Sequence, residues 1–154
     1  MNEGKKFEQD FIRSLPEGSF HLRLKDGGGW SNADNTRFTS SNICDSVVYY
    51  QGKMILVELK SHKGKSVPFS CLKQHEDLSR KTHDVEGVCG VFVINFRDMN
   101  ETYMIWSQLV TDFIELYERK SLPIAYVKEY GYLIPQKLKR TRYRYDPGQA
   151  LLSV

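Results

Sequence analysis

The chain has 154 residues, 40% of them hydrophobic, and a formal net charge of +3. Length and composition are typical of one globular domain with a full core, and the small net charge excludes a uniformly basic binder. No apolar run approaches the roughly 20 residues of a membrane span, and residues 1–6 lead into an amphipathic pattern, not into a signal peptide. We therefore expect a cytoplasmic protein without a membrane partner. Its three cysteines are widely spaced and form no CxxC pair, so reduced, mostly packed thiols are expected.

A first helix is predicted over residues 4–15, where Phe7, Phe11 and Leu15 fall on one stripe. Glu8 lies inside that stripe, on the same side as Leu15. A carboxylate on the core-facing side of a helix is unusual. Glu8 is therefore either a functional group or a side chain at the edge of the stripe that swings out to solvent.

Residues 20–24 alternate as a first strand and are followed by a polar, glycine-rich stretch over residues 25–42. A structureless segment of this length is usually functional or disordered in a compact domain, and this one leads directly to Asp45. Its Gly27–Gly29 run lacks the Lys-Ser/Thr partner of a P-loop, so we interpret it as a flexible hinge.

A hairpin is predicted next, from strands at residues 43–50 and 53–60 that only Gln51-Gly52 separates. If this two-residue loop sets the register, Asp45 faces Glu58 with Cβ atoms about 5 Å apart. Like charges directly opposed destabilise a sheet. We therefore expect either a cation between the two carboxylates or a shared proton.

The residues around this pair suit metal-dependent phosphate chemistry. Lys60 projects from the same face as Glu58, and two carboxylates with a lysine fit Mg²⁺ and a phosphate. The main-chain carbonyl of Leu59 is a natural extra ligand, and Glu8 reaches the site if the first helix packs beside the hairpin. Taken alone, a Glu-x-Lys on a strand is most often a surface charge pair, and a one-residue slip would put Asp45 on the opposite face.

The remaining elements complete the order helix, three strands, helix, two strands, helix (αβββαββα), which predicts an α/β or α+β fold with one mixed sheet. We expect a single domain over residues 1–154, with a core at about 4–119 and a C-terminal extension at 120–154. The later elements are a basic turn at 61–66, a helix at 68–83 begun by Pro68, a buried strand at 87–96, a strand at 102–106, a helix at 107–119 capped by Ser107, and an extended segment at 124–135.

The tail from Pro135 to Tyr145 carries five basic residues and no acidic one. Guanidinium groups bind phosphates and tyrosines stack on exposed bases, whereas the alternative is an edge strand with protective charges. Nucleic-acid contact is the favoured interpretation. The basic groups expected to contribute are Arg37, Lys63, Lys65, Lys137, Lys139, Arg140, Arg142 and Arg144.

Asp45 followed by Glu58-Leu59-Lys60 resembles the PD-(D/E)xK nuclease signature, with Asn42-Ile-Cys-Asp in place of the literal Pro-Asp. The surrounding sequence is more specific and resembles RecU-type Holliday junction resolvases, especially their small phage-encoded relatives, over residues 4 to about 106. The segments that carry this resemblance are Gly4–Glu8, the Asp45 strand, Glu58–Ser70 and Gly90–Phe96.

The resemblance implies a restriction-endonuclease-like core, with a mixed sheet flanked by helices. It implies a homodimeric, Mg²⁺-dependent endonuclease that cuts four-way DNA junctions, with Mn²⁺ as a substitute, in the cytoplasm of a bacterial host and with a phage origin as one option. By motif it implies Asp45 and Glu58 as metal ligands, Lys60 as the catalytic lysine and Glu8 as an accessory acid.

Two functional alternatives stay open: a nuclease of this fold that acts on other branched, nicked or linear DNA, and a non-catalytic recombination accessory protein that holds junctions. The intact acidic residues and lysine argue against the second. The family usually carries a Gln on the helix after the Glu-x-Lys strand. Spacing from Pro68 points to Glu76 as its equivalent, with Gln74 half a turn earlier.

Overall fold

The computed structural model describes residues 1–25, 27–30, 37–40 and 42–154, the two short internal pieces by their backbone alone. Short 3₁₀ turns lie at Phe69–Cys71 and Arg97–Met99. In chain order the helices and strands are α1 (Glu3–Ile12), β1 (Phe20–Arg23), β2 (Gly27–Trp30), β3 (Arg37–Ser40), β4 (Ser46–Tyr50), β5 (Lys53–His62), β6 (Ser66–Pro68), α2 (His75–Thr82), β7 (Val88–Phe96), β8 (Glu101–Trp106), α3 (Ser107–Leu116), β9 (Ser121–Pro123), α4 (Ile124–Tyr130), β10 (Tyr132–Ile134), β11 (Gln136–Lys139), β12 (Arg142–Tyr145) and α5 (Gly148–Ser153).

One mixed sheet forms the centre, with six strands in the order β1-β4-β5-β7-β8-β10. Neighbouring strands are antiparallel except β5 and β7, which run parallel over nine residue pairs. The α2 helix lies on the crossover between them, as a parallel connection requires. The predicted αβββαββα order is confirmed by α1, β1, β4, β5, α2, β7, β8 and α3.

The predicted β4–β5 hairpin is confirmed in its turn and in its register. Gln51 and Gly52 both have positive φ, at 49° and 81°, which is the signature of a type I′ turn that matches strand twist. Tyr50 pairs with Lys53, and the ladder continues to Ser46 opposite Val57. Asp45 therefore lies one residue beyond the paired strand.

Two helical layers cover the two faces of the sheet. On one face, α1 and α5 pack with the β11–β12 hairpin around Phe7, Phe11, Val57 and Leu151. On the other face, α2, α3 and α4 cover the β7–β8 half of the sheet. Close approach there depends on Gly90, because a Cβ at this position would meet Leu78 at 2.8 Å and two hydroxyl groups at 2.9 Å.

The glycine-rich segment at 25–42 contains a small hairpin that its composition does not predict. β2 pairs antiparallel with β3 from Gly27↔Ser40 to Trp30↔Arg37. The three consecutive glycines thus belong to a strand, which corrects their interpretation as a hinge. The ladder uses backbone groups alone, so no alternation of side chains signals it.

The predicted helix at 68–83 begins later than expected. Pro68 ends β6, which pairs with β9, and α2 starts at His75. A proline is tolerated at a strand end because no ladder hydrogen bond is lost there. Ser107 is likewise the first residue of α3 and not its cap, since Trp106 holds the cap position without a side-chain hydrogen bond.

The segment at 124–135 was expected to be extended, but residues 124–130 form α4. Its Val127 is fully buried, and Tyr126 donates a hydrogen bond to the carbonyl of Leu109. Pro123 lies just before α4 begins. Tertiary packing against α3 therefore determines the conformation of this segment, because its tyrosines are compatible with both a strand and a helix.

Residues beyond 119 contribute to the core as fully as those before it. Leu122, Ile134, Tyr145 and Leu151 are all buried, so side chains of the predicted extension pack with the core. No helix in the described part of the chain is long and apolar enough to cross a membrane. Cys44 and Cys89 are buried free thiols and Cys71 is an exposed one.

Candidate active site

Asp45 is anchored where β4 begins, beside the middle of β5. Its N–H donates to the carbonyl of Val57 at 3.1 Å, and its own carbonyl accepts from the N–H of Leu24 at 2.9 Å. Its Oδ2 accepts a hydrogen bond from the N–H of Leu59 at 2.7 Å. The register suggested a ladder pair between Asp45 and Glu58, but the paired strand ends at Ser46. The Asp45 carboxylate instead accepts a hydrogen bond from the β5 backbone at the residue after Glu58.

Glu58 is a buried acid whose charge is only partly compensated. The residue is 3% exposed, and its Oε1 lies 2.7 Å from Nζ of Lys60. Burial and, after it, the negative charge of Asp45 together raise the pKa of Glu58 to about 7, against the opposing effect of Lys60. The ion pair with Lys60 leaves the charge of Asp45 beside Glu58, an arrangement that a cation would stabilise.

Glu8 on α1 faces the same cluster. Its side chain is 21% exposed and forms an ion pair with Arg23 at 3.0 Å. Burial and the negative charge of Asp45 raise the pKa of Glu8, while Arg23, Lys5 and Lys60 lower it. Glu8 is thus a half-buried group at the edge of the cluster, close enough to Asp45 for that charge to influence its pKa.

The donor set fits a hard divalent cation. Among the described residues, no group of three or more His, Cys, Asp or Glu side chains is arranged to hold a metal. Mg²⁺ does not need such a cage, because it is usually held by one or two carboxylates and keeps several waters. Oxygen donors without thiolate or imidazole also favour Mg²⁺ or Mn²⁺ over zinc.

A cavity of about 280 Å³ opens beside Lys60. Gln74 lines it, and Oε1 of Gln74 is the one buried side-chain nitrogen or oxygen in the described part of the chain that lacks a hydrogen-bond partner. Glu76, the residue that spacing favoured, is exposed and does not line the cavity. Spacing from Pro68 counts helical turns that the structure does not contain, because α2 begins only at His75. The remaining cavity residues are Ser61, His62, Val67, Ser70, Cys71 and Lys73.

The basic residues predicted to contact nucleic acid fall into two groups. Lys63 and Lys65 are exposed in the turn that follows β5, next to Lys60. The β11–β12 hairpin places Lys137 opposite Arg144 and Lys139 opposite Arg142. Lys137, Lys139, Arg140 and Arg144 are exposed, whereas the side chain of Arg37 lies outside the described part of the chain.

Arg142 differs from the other basic residues of the hairpin. Its Nε donates to Oδ1 of Asp10 at 2.6 Å, and its Nη2 donates to Gln9 at 3.1 Å. Asp10 is 1% exposed and also accepts from the N–H of Tyr143 at 3.0 Å. Arg142 therefore fastens the hairpin to α1. The sequence analysis missed Asp10, although its position three residues after Phe7 on the helical stripe marked it as inward-facing.

Comparison with known proteins places the chain in a family. The model of the RecU family (Recombination protein U) matches residues 28–144. The Holliday junction resolvase RecU of Lactococcus lactis subsp. cremoris is 28% identical over 99 residues, which cover 63% of this chain and 46% of that protein. The Holliday junction resolvase RecU of Streptococcus gordonii is 27% identical over 104 residues, which cover 66% and 52%.

One further relative and one solved structure cover more of the chain. An uncharacterized SPbeta prophage-derived protein of Bacillus subtilis, YotM, is 26% identical over 161 residues, which cover 94% of this chain and 82% of that protein. The solved structure of Hjc, a Holliday junction resolvase of Archaeoglobus fulgidus, has a TM-score of 0.51 at 17% identity and covers 84% of this chain and 95% of that chain. That likeness confirms the restriction-endonuclease-like fold. The chain spans about half the length of the curated resolvases it matches. Since the family model covers well over half of its residues, the chain belongs to the RecU family.

Proposed function

We propose that this protein is an endonuclease that hydrolyses phosphodiester bonds in four-way DNA junctions, with Mg²⁺ as its cofactor and Mn²⁺ as a substitute. One observation carries the proposal: the almost fully buried Glu58 beside Asp45, with Lys60 at 2.7 Å. A buried and incompletely compensated carboxylate lowers the stability of the fold, so we infer that this arrangement serves a function. The junction substrate is inferred from the relatives, which are resolvases by name.

Asp45 and Glu58 would hold the cation, and the main-chain carbonyl of Leu59 is the third oxygen that we propose. A bound Mg²⁺ supplies positive charge at the scissile phosphate and a more acidic water. The chain itself supplies the geometry, since the N–H of Leu59 fixes the orientation of the Asp45 carboxylate. Burial keeps competing water away from Glu58.

Lys60, Gln74 and Glu8 have separate proposed roles. The Lys60 ammonium group stabilises negative charge as it develops on the phosphoryl oxygens. Gln74 lines the cavity beside Lys60 and has an unpaired acceptor, Oε1, which orients a water by accepting a hydrogen bond from it. Glu8 is an accessory acid at the edge of the site, poised to accept a proton because burial and Asp45 raise its pKa.

The basic hairpin is the proposed DNA-contacting surface. Like charges directly opposed across a hairpin are destabilising, yet Lys137 faces Arg144. A polyanion such as the DNA backbone would relieve that repulsion. The proposed contacts are Lys63, Lys65, Lys137, Lys139, Arg140 and Arg144, with Arg37 as an additional candidate. Arg142 is left out because Asp10 already binds it.

The test is incubation of the purified protein with an end-labelled synthetic four-way junction and, separately, a linear duplex of matched sequence. Mg²⁺, Mn²⁺ and EDTA are compared, with Asp45→Asn as the site control. We expect symmetric, metal-dependent nicks in the junction that the variant does not make. Equal cutting of the linear duplex would instead indicate a nuclease without junction selectivity, and tight binding without cutting would indicate an accessory protein.

A further inference from the structure

A row of polar side chains crosses the central sheet one residue beyond Lys60, on the face that α1 covers. Ser61 on β5 pairs with Asn95 on β7, and Asn95 pairs with Thr102 on β8. Oγ of Ser61 donates to Oδ1 of Asn95 at 3.2 Å, and Nδ2 of Asn95 donates to Oγ1 of Thr102 at 2.9 Å. Asn95 is 7% exposed and Thr102 is fully buried, whereas the neighbouring residues of these strands on this face are apolar. Polar groups at buried strand positions are unfavourable unless they are satisfied, and this row opens into a cavity.

The polar cavity lies between α1, the ends of β5 and β7, and the β11–β12 hairpin, and its volume is about 160 Å³. A cavity of about 150 Å³ holds one benzene ring, so this one has room for a single six-membered ring. Gln136 continues the polar row, because its Oε1 accepts from Thr102 and its Nε2 donates to Oδ1 of Asn100 at 2.9 Å. Oδ1 of Asn100 also accepts from the Tyr143 hydroxyl at 2.8 Å. One wall of the polar cavity is therefore a chain of amides and hydroxyls.

Aromatic rings form a second wall of the polar cavity. Phe7 and Tyr145 both line it and pack edge-on, with ring centroids 5.4 Å apart. Tyr143 lines it too and stacks on Tyr145 at 6.1 Å. Every nucleobase has a π-face that can stack on such rings. Aromatic stacking combined with a hydrogen-bonding wall is the way in which protein pockets hold an unstacked base.

The lining carries a positive charge once ion pairs within the protein are counted. Lys6 and Arg97 are partly buried and form no ion pair with another residue in the described part of the chain. The acids of the lining are Glu3, which is exposed, and Asp10, which Arg142 binds. Two cations therefore accompany one uncompensated acid. A phosphate that enters with its base would be attracted to Lys6 and Arg97.

We propose that the polar cavity binds one unstacked pyrimidine base of the junction DNA, with its phosphate on Lys6 and Arg97. Ser61 lines the polar cavity and also the cavity beside Lys60, on the other face of the sheet, so the base is held close to the scissile phosphate. The amides offer both donors and acceptors to the Watson–Crick edge of the base. The inference rests on the proposed function because the base belongs to DNA held for cleavage, but binding of the base does not itself require cleavage.

Fluorescent base analogues in the junction test this proposal. Pyrrolocytosine replaces one cytosine at a time and 2-aminopurine one adenine at a time near the branch point, and EDTA prevents cutting. Both analogues brighten when they leave the base stack. The wild type should raise the pyrrolocytosine signal at least about threefold at one position and leave 2-aminopurine unchanged. No response at any position overturns the proposal, and an equal response of the purine analogue overturns the assignment to a pyrimidine.

Three variants connect the response with the polar cavity. Gln136→Leu removes an amide from its wall and Lys6→Gln removes a cation, whereas Lys81→Gln removes an exposed cation from α2, outside the cavity. We expect the first two variants to lose most of the signal and Lys81→Gln to keep it. A response that survives in both cavity variants, or that disappears equally in Lys81→Gln, overturns the proposal. Thermal unfolding checks that every variant is folded.

An abasic junction gives a second measurement that depends on no variant. Removal of the responsive base should weaken binding by the wild type about tenfold, and Gln136→Leu should bind the intact and the abasic junction alike. Equal affinity of the wild type for both junctions overturns the proposal. Competition by free deoxycytidine monophosphate while no junction base responds also overturns it, because the occupant is then a free nucleotide. If the base unstacks in EDTA but no junction is cut in Mg²⁺, the base site stands and the proposed nuclease function fails.

Discussion

At the scale of single residues, Glu58 shows how the site stores an unfavourable charge. Its carboxylate is buried and lies beside Asp45, and the ion pair with Lys60 compensates only part of the cost. Because folding raises the pKa of Glu58 from its usual 4.5 to about 7, the folded state binds a proton more tightly than the unfolded chain. The free energy of unfolding contributed by Glu58 therefore falls as pH rises from about 4.5 to about 7, and the loss is complete above that range.

Glu58→Gln should stabilise the metal-free protein while abolishing cleavage. At about pH 8 in EDTA we expect a gain of about 1 to 3 kcal/mol, because Gln removes the buried charge but leaves Lys60 without its partner. The gain should shrink as the pH falls below about 7 and vanish well below pH 4.5, where wild-type Glu58 is itself protonated in both states. Urea unfolding at several pH values measures it.

Glu101→Gln is the matched control for that series, with the opposite sign. Hydrogen bonds from Tyr103 and Lys128 lower the pKa of Glu101, so its charged form stabilises the fold at neutral pH and that contribution is lost in acid. We expect Glu101→Gln to destabilise at about pH 8. A Glu58→Gln protein that is less stable than the wild type at this pH would contradict the conclusion that the buried charge of Glu58 destabilises the fold.

Gln74 is the second single residue that carries a prediction. Gln74 lines the cavity beside Lys60, and its buried Oε1 has no hydrogen-bond partner, so Gln74→Ala should lower the single-turnover cleavage rate about 10- to 100-fold. Junction affinity should stay within about twofold, because one neutral amide contributes little to phosphate binding. Rapid-quench kinetics and a binding titration separate the two effects.

Glu76→Ala serves as the control for Gln74→Ala, since Glu76 is exposed and two residues away. We expect it to cleave like the wild type. If Glu76→Ala slows cleavage and Gln74→Ala does not, Glu76, the residue inferred from sequence spacing, contributes to cleavage and Gln74 does not. The assignment from cavity geometry would then be wrong.

At the scale of elements, the β11–β12 hairpin is held to α1 by polar contacts around one buried acid. Asp10 accepts from Arg142 and from the N–H of Tyr143, and Oγ of Ser14 accepts from the N–H of Tyr145. Tyr145 also packs edge-on against Phe7, with ring centroids 5.4 Å apart. The helix that carries Glu8 and the hairpin that carries the exposed basic residues are thus one structural unit.

Asp10→Ala should destabilise the protein by about 2 to 4 kcal/mol, because it leaves a partly buried guanidinium group and a backbone N–H without partners. Asp77→Ala removes an exposed ion pair with Arg80 and should cost less than about 0.5 kcal/mol. Denaturant unfolding compares the two variants. Hydrogen exchange at the Tyr143 amide should accelerate only in Asp10→Ala, and equal effects of both variants would show that Asp10 has no special role.

At the scale of the whole molecule, the small net charge conceals an uneven distribution. The net charge is +3, yet the exposed basic residues of the hairpin and of the turn after β5 form local clusters. Binding to DNA releases counterions in proportion to the phosphates that are contacted. The salt dependence of junction binding should therefore depend on these clusters and not on the net charge.

The double variant Lys137→Gln, Arg144→Gln should bind the junction more weakly and reduce the slope of log affinity against log salt by about 2. Relief of the cross-strand repulsion should leave its fold unchanged or slightly more stable. Binding titrations at several salt concentrations measure the slope. Arg80→Gln, which removes a cation already paired with Asp77, should leave the slope unchanged, and a double variant that matches it would exclude the hairpin from the DNA surface.

The sequence by itself determined the carboxylate pair and its lysine, because local chemistry sets that geometry. Gln51-Gly52 adopts the turn that fixes the β4–β5 register, and strand alternation then places Glu58 and Lys60 on one face. The sequence also predicted the buried strand that the structure has at 88–96. A strand buried on both faces is nearly continuously apolar and shows no polar alternation.

Only the tertiary structure decided the features that depend on contacts between distant segments. Gln74 lies beside Lys60 because a β6–β9 pairing displaces the start of α2, and Asp10 meets Arg142 across 132 residues of chain. Local patterns encode turns and faces, whereas which faces meet is settled by the packing of the whole chain.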